Sequence, residues 1–231
     1  MNQEPHIITQ VDHTALNRFF GKIYGFVAAG IGISALVAYL SMTAFRTFTI
    51  NLLLGGSFVI WLLMIVEIGL VFAASRMAAQ NSPLALPMFL AYSVMNGFTL
   101  SIVLLAYTGE TITTAFLTAA LMFAIMAVIG LTTKRNLSGM GQALYAALFG
   151  VIIASVVNLF LASSGMSFII SIISVLIFSG LIAYDNQRIR YIFEETNGEV
   201  GQGWVISMAL SLYLDFINLF LNLLRIFGSR D

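Results

Sequence analysis

Long apolar segments recur along this chain of 231 residues, with short polar connections between them. Each has roughly the 17–25 residues that a helix needs to cross the hydrocarbon core of a bilayer. They cover about residues 19–42, 50–74, 84–107, 113–132, 141–162, 167–187 and 204–227. Charged residues make up 9% of the chain, against about 25% in an average soluble domain. The sequence therefore predicts an all-α membrane protein with seven transmembrane helices.

Composition excludes several other classes of protein. A membrane barrel is excluded because its strands alternate apolar and polar residues over about 10 positions, whereas these segments are continuously apolar. Basic and acidic residues number 10 each, and this neutral balance argues against a nucleic-acid partner. Cysteine is absent, which excludes disulfides, thiolate metal sites and a cysteine nucleophile. The lipid bilayer is the partner that composition predicts, and no cofactor is expected.

The predicted domain organisation is one membrane domain behind a short tail. Residues 1–18 form a polar cytoplasmic tail, and residues 19–228 form the seven-helix transmembrane domain. Basic residues set the orientation, because short cytoplasmic loops are enriched in Lys and Arg. The side of the N-terminus holds Arg18, Lys22, Arg76, Lys134, Arg135, Arg188 and Arg190, and the other side holds Arg46, Arg225 and Arg230. The N-terminus is therefore predicted to be cytoplasmic and the C-terminus outside.

The last apolar segment carries a carboxylate, Asp215, near its middle. An ionisable side chain at this depth costs about 2.5–3.5 kcal/mol on insertion scales, and such residues usually face the bundle interior and serve a function. Other polar residues share one helical face with it: Ser211, Asn218, Asn222 and Arg225. We expect this stripe and Glu67, which lies deep in the second span, to form a polar network inside the bundle.

A second carboxylate, Asp185, ends the sixth segment near the predicted cytoplasmic side. Consecutive helices are usually neighbours, so Asp185 and Asp215 are expected to face each other. Their depths differ, because Asp215 lies about 18 Å along its helix from Gly203 while Asp185 is closer to the end of its own. A pair requires a sixth helix that sits deep or a seventh that starts outside the membrane. The alternative is that Asp185 is an interfacial residue beside Arg188.

Two adjacent buried carboxyl groups are expected to titrate as a coupled pair that holds one proton. When protonated, Asp185 and Asp215 can share a hydrogen bond that holds their helices together. When ionised, they repel each other and can bind Ca²⁺, which prefers carboxylate and carbonyl oxygens. The pair is therefore the predicted pH sensor and the candidate calcium site. Arg76, at the end of the second span, is the candidate counter-charge, and its alternative role is a positive-inside anchor.

Several stretches together resemble the Bax inhibitor-1 family, and specifically its short bacterial members. The matching stretches are MNGFTLS at 95–101, TAALMF at 118–123, LTTKRNLSG at 131–139, AYDNQ at 183–187 and LYLDFINLFLNLLRIFG at 212–228. The likeness covers nearly all of the chain after the first span, and the order and spacing of the stretches make chance agreement improbable.

The resemblance implies six helices around a central seventh, in a bacterial inner membrane. It also implies a calcium leak with a pH-sensitive latch of two aspartates in the last two spans, which map onto Asp185 and Asp215. The family's latch is linked to a basic residue, for which Arg76 is the candidate here. Ca²⁺ and protons would then be the ions handled. The resemblance further implies roles in stress tolerance and in membrane-protein quality control, with a membrane protease or other membrane proteins as partners.

Two rival functions remain at this point. An intramembrane aspartyl protease also needs two close carboxylates, but the residues before Asp215 are Leu-Tyr-Leu and not the Gly-x-Gly of those enzymes. A serine-type membrane protease is excluded because the histidines, His6 and His13, precede the first span. A retinal pump is excluded because it would need a lysine in the last span, which has none.

The other rival is a membrane protein that binds partners and conducts nothing. We predict that the chain is not an enzyme.

Overall fold

The computed structural model describes residues 13–228, apart from the side chains of His13 and Ser57. Most of the predicted tail, with His6, and also Arg230 lie outside the described residues. The described part contains α1 (His13–Met42), α2 (Arg46–Leu54), α3 (Ser57–Ala79), α4 (Ala85–Leu104), α5 (Gly109–Thr132), α6 (Ser138–Leu161), α7 (Ser164–Glu195) and α8 (Gln202–Phe227). Seven of these helices are long and apolar enough to cross a membrane, and α2 is the exception. The prediction of an all-α protein with seven transmembrane helices is confirmed.

The second span begins later than predicted, at Ser57, because two glycines separate it from α2. Gly55 ends α2 with backbone bonds to the preceding turn. Gly56 has φ 86°, a left-handed conformation that favours glycine and stops the helix from continuing. The predicted segment 50–74 therefore divides into most of the short α2 and the spanning α3.

The sixth span is longer than predicted, because α7 continues past 187 to Glu195. Its last turns are amphipathic: Ile189 and Phe193 are buried one turn apart and pack against α1. The ring of Phe193 lies 5.1 Å from that of Phe19, centroid to centroid. Arg190 and Glu194 form an ion pair on the other side of the helix, at 3.4 Å. The polar sequence after 187 is thus mostly helix, and the connection to α8 is only 196–201.

The last helix lies at the centre of the bundle. It packs against α1, α3, α4, α5 and α7. In the 18-residue membrane-spanning stretch of α8, 67% of the residues are buried inside the bundle. The corresponding share is 0% for α6, which packs on α7. The outward faces of α6 and α3 carry large apolar side chains such as Phe149, Phe160 and Phe72. Such faces suit contact with lipid, because lipid tails do not penalise exposed apolar groups.

At three glycines, the backbone of one helix comes close to the backbone of a neighbouring segment. A Cβ at Gly97 of α4 would lie 2.5 Å from the carbonyl oxygen of Ser34 in α1. A Cβ at Gly130 would overlap the carbonyl oxygen of Ala183, between α5 and α7. A Cβ at Gly203, at the start of α8, would similarly overlap the end of α3. These glycines let the backbones approach closely, as small residues do in membrane bundles.

The spacing Gly21-x-x-x-Gly25 in α1 also suggests close packing, but the structure contradicts that suggestion. A Cβ added at either glycine would have no neighbouring atom within 4 Å among the described residues. The close backbone contact of α1 lies instead at Ser34, about two and a half turns after Gly25.

Candidate functional site

The length of α7 removes the difference in depth between the two carboxylates. The helix continues from Asp185 to Glu195, which is about 15 Å at 1.5 Å per residue. From the start of α8 at Gln202, Ser211 lies about 14 Å along the helix. Because α7 and α8 are antiparallel and joined by one short connection, Asp185 and Ser211 lie at about the same distance from that connection. Because α7 is longer than the predicted sixth span, Asp185 lies far from the end of its helix and at the level of Ser211.

Both aspartates are buried, with Asp185 4% exposed and Asp215 6% exposed. The hydroxyl of Ser211 donates to Oδ2 of Asp185 at 2.5 Å. Ser211 and Asp215 are four residues apart and share one face of α8. The two carboxyl groups are close enough to interact electrostatically. The structure therefore brings both aspartates into the interface between α7 and α8, and Asp185 is a buried residue.

Each aspartate also has a buried oxygen that lacks a partner. Within residues 13–228, Oδ1 of Asp185 and Oδ2 of Asp215 accept or donate no hydrogen bond. A buried polar atom without a partner costs about 1–3 kcal/mol, and more if it is charged. A shared proton or a bound cation would relieve that cost, because either would supply what the two oxygens lack.

The neighbours of Asp185 fix the orientation of α7. Tyr24 of α1 donates its hydroxyl proton to Oδ1 of Asn186. The side chain of Gln187 bonds the connection between α5 and α6, donating to the carbonyl oxygen of Arg135 and accepting from the N–H of Leu137, both at 2.8 Å. Consecutive residues point in different directions on a helix, so Asn186 and Gln187 bond neighbouring elements while Asp185 faces α8.

A small cavity of about 60 Å³ adjoins Asp185 on the side of the α7–α8 connection. Its lining consists of Asp185, Arg188, Ile189, Trp204, Ser207, Met208 and Ser211. This volume has room for a few water molecules. The cavity is therefore a route by which water or a proton can reach the carboxylate from that end of the bundle.

Arg188, and not Arg76, is the basic residue beside the pair. Arg188 lines the cavity with Asp185 and interacts with it electrostatically. Arg76 is exposed near the end of α3, which meets the start of α8, where the N–H of Gly203 donates to Asn81 at 2.6 Å. Asp215 lies about 18 Å further along α8 from that contact. The placement favours Arg188 over Arg76 as the counter-charge.

An aromatic residue from α6 completes the surroundings of the pair. Tyr145 lies within electrostatic range of both aspartates. Its ring packs edge-on against Tyr184, with centroids 6.2 Å apart. No signal in the sequence marks Tyr145, because it is one of several aromatic residues on apolar helices. Arg188 could have been identified from its spacing, since it follows Asp185 by three residues on one helical face.

Glu67 belongs to a second polar cluster that joins α1, α3, α4 and α8. Asn96 donates from Nδ2 to Oε1 of Glu67 at 2.5 Å. The hydroxyl of Tyr213 lies 2.8 Å from Oδ1 of Asn96 and 2.6 Å from Oγ of Ser34. Ser34 also lies 2.7 Å from the carbonyl oxygen of Ser93. The expected network role of Glu67 is thus with Asn96 and Tyr213, on a different face of α8 from Asp215.

The remaining polar residues of the α8 stripe bond their own helix. Asn218 donates to the carbonyl oxygen of Leu214, and Asn222 donates to that of Asn218, each at 2.8 Å. Arg225 is exposed in the last turn of α8 and lines a separate cavity at that end of the bundle. Of the predicted network residues on α8, Ser211 is the one whose hydrogen bond reaches the aspartate pair.

Comparison with known proteins relates the whole bundle to one family. The sequence profile described as "Inhibitor of apoptosis-promoting Bax1" matches residues 16–231. A protein of Streptococcus pyogenes serotype M1, named as an uncharacterized membrane protein, is 52% identical over 226 residues, which are 98% of this chain and 99% of that protein. The inner membrane protein YbhL of Escherichia coli K12 is 37% identical over 223 residues, 93% of each chain. The match thus extends from α1 to the end of the chain.

Proposed function

Because this chain belongs to the Bax inhibitor-1 family of membrane proteins, we propose that it is a pH-sensitive calcium leak gated by Asp185 and Asp215. The observation that carries the proposal is the position of these two carboxyl groups, buried together between the central α8 and its neighbour α7. An inner-membrane location, with the N-terminus cytoplasmic, is part of the same proposal. It is supported by the name of the relative YbhL and by the distribution of basic residues.

The closed state is the state in which the pair holds one proton. A protonated carboxyl donates to its ionised partner, and such charge-assisted hydrogen bonds are roughly twice as strong as neutral ones. The bond would join α7 to α8 at the depth where Ser211 already bonds Asp185. The shared proton would also supply the partners that Oδ1 of Asp185 and Oδ2 of Asp215 lack.

Loss of that proton opens the gate. Two ionised carboxylates in a medium of low dielectric constant repel each other strongly, so the interface between α7 and α8 is destabilised. The cavity beside Asp185 lets the proton leave towards the end of the bundle where α7 and α8 are connected. The leak is therefore expected to increase as pH rises.

The cargo is a hard cation that carboxylate oxygens bind weakly. Ca²⁺ takes 6–8 oxygen ligands in tight sites, and within residues 13–228 no group of three or more His, Cys, Asp or Glu residues lies together. Two carboxylates with a few carbonyl, hydroxyl and water oxygens suit a weak, transient cation-binding site on a conduction route. Conduction requires such weak binding, because an ion that enters must also leave.

Calcium efflux from vesicles tests the proposal. Purified protein is reconstituted into vesicles loaded with Ca²⁺, and the efflux rate is measured at several pH values. We expect wild-type efflux to rise with pH, and Asp215→Asn to give a low efflux that does not change with pH, because asparagine cannot ionise. Glu67→Gln is the matched control, since it makes the same kind of change at another deep carboxylate and should leave the pH dependence intact.

The alternative functions predict different outcomes of the same experiment. A small efflux that is independent of pH and equal in wild type and Asp215→Asn would refute conduction. That result would favour a protein that binds membrane partners, such as components of membrane-protein quality control. Cleavage of a model transmembrane peptide that is lost in Asp215→Asn would favour an intramembrane aspartyl protease.

A further inference from the structure

A larger cavity lies at the opposite end of the bundle from Asp185. Its volume is about 620 Å³, within the range of about 300–1,000 Å³ that is usual for small-ligand sites. The lining comes from α6, α7, α8 and the connection between α4 and α5. Along α7, the lining residue Ile170 lies about 22 Å from Asp185. This cavity is therefore separate from the aspartate pair.

The polar part of the lining suits an anion. Its polar side chains are those of Arg225, Asn158, Tyr107, Ser155, Ser164 and Ser167, and none of the lining residues that the structure describes is a carboxylate. Nδ2 of Asn158 donates a hydrogen bond of 2.7 Å to Oγ of Ser167. This bond joins α6 to α7, so the wall that they form is rigid. The first turn of α7 also borders the cavity, and the partial positive charge of a helix N-terminus adds to that of the guanidinium.

The apolar part of the lining suits a hydrocarbon chain. Leu159 and Phe168 line the cavity and are 72% and 50% exposed. They lie on α6 and α7 among other exposed apolar side chains, including Phe160 and Ile169. Because α6 packs on α7, its other faces lie towards the bilayer. A ligand in this cavity can therefore place an anionic group at Arg225 and apolar chains along the lipid-facing surface.

We infer that this cavity binds the phosphate group of an anionic phospholipid, with Arg225 as its charged contact. Arginine is well suited to phosphate because its guanidinium donates two parallel hydrogen bonds. The hydroxyl group of Tyr107 supplies a further donor from the facing wall. The site is independent of the proposed gate, because it involves neither aspartate.

Lipid titration of the purified full-length chain tests the inference. The chain in detergent is titrated with phosphatidylglycerol or phosphatidylcholine of the same acyl length, and native mass spectrometry counts the bound lipids. We expect one saturable phosphatidylglycerol site. Replacement of the charged contact in Arg225→Gln should weaken binding by about tenfold or more, as loss of a charged hydrogen bond does. Arg46→Gln is the matched control, because Arg46 is exposed at the same end of the bundle.

Further variants keep the test decisive. Ser155→Phe fills the cavity from α6 and should weaken binding with Arg225 still present. Arg225→Lys keeps the charge but not the paired hydrogen bonds, so it should weaken binding less than Arg225→Gln does. Thermal unfolding of each variant shows whether the bundle still folds. Equal phosphatidylglycerol affinity in wild type and Arg225→Gln would overturn the inference. So would displacement of the lipid by millimolar inorganic phosphate, because free phosphate would then be the occupant.

Discussion

The two polar clusters inside this bundle lie on different faces of one helix, and they differ in how well their polar atoms are satisfied. In the first cluster, Tyr213 of α8 contacts Asn96 and Ser34, and Asn96 bonds Glu67. In the second, Asp215 lies two residues further along α8 and leaves Oδ2 without a hydrogen-bond partner among the described residues. The first cluster is almost fully paired, while the second is incomplete.

This difference fits a structural role for the first cluster and the proposed gating role for the second. A fully bonded network in a low-dielectric interior fixes one arrangement of helices, because every change breaks a bond. In the proposed gate, the incompletely bonded carboxyl pair instead changes its arrangement when it loses its proton. The same helix can therefore be held rigidly on the side of α1, α3 and α4 while its contact with α7 changes.

The largest effect on folding is expected from Tyr213→Phe. The substitution removes a hydroxyl that lies within hydrogen-bond distance of Asn96 and Ser34. Hydrogen bonds between membrane helices contribute about 0.6–1.7 kcal/mol each, so we expect a loss of about 1–2 kcal/mol in the free energy of unfolding. Reversible unfolding in mixed micelles measures it. The pH at which calcium efflux is half-maximal should not change, and a shift as large as that expected for Ser211→Ala would contradict the separation of the clusters.

An intermediate effect is expected from Ser211→Ala, which acts on the aspartate pair alone. The hydroxyl of Ser211 donates to Asp185 and so favours its ionised form. Without that donor, the protonated, closed state persists to higher pH. We expect the half-maximal pH of efflux to rise by about one unit, since one unit corresponds to about 1.4 kcal/mol. An unchanged half-maximal pH, with unchanged folding stability, would show that Ser211 does not contribute to the gate.

The smallest effect is expected from Arg188→Gln. Arg188 lies beside Asp185 but is exposed, so solvent screens its charge. Its loss should raise the half-maximal pH by only a few tenths of a unit, and added salt should reduce the difference. Arg76→Gln, the matched substitution, should give the wild-type curve. A larger shift for Arg76→Gln than for Arg188→Gln would restore Arg76 as the counter-charge.

The membrane fold and the buried position of Asp215 could be predicted because each produces a local signal in the sequence. Seven apolar segments of bilayer length are visible without any knowledge of contacts, and a carboxylate such as Asp215 stands out within one. The stripe on the last segment correctly identified α8 as the central helix. Only the pairing of Asp185 with α8 required a guess about neighbouring helices.

The features that could not be predicted depend on tertiary contacts. Hydropathy decreases after residue 187, although Ile189 and Phe193 continue α7 by packing against α1. The glycines at the close backbone contacts are Gly97, Gly130 and Gly203, and none of them has a second glycine four residues away. Gly21 and Gly25 do form such a pair, yet a Cβ at either would have no neighbouring atom within 4 Å among the described residues.

The most direct test of the central claim compares the pH dependence of calcium efflux for wild type, Asp185→Asn, Asp215→Asn and the double variant. If the two carboxyl groups share one proton, each single substitution should remove the pH dependence, and the double variant should behave like either single one. Independent carboxyl groups would instead leave part of the pH dependence in each single variant, with the two losses adding up in the double variant. That additive result would contradict a gate formed by one coupled pair.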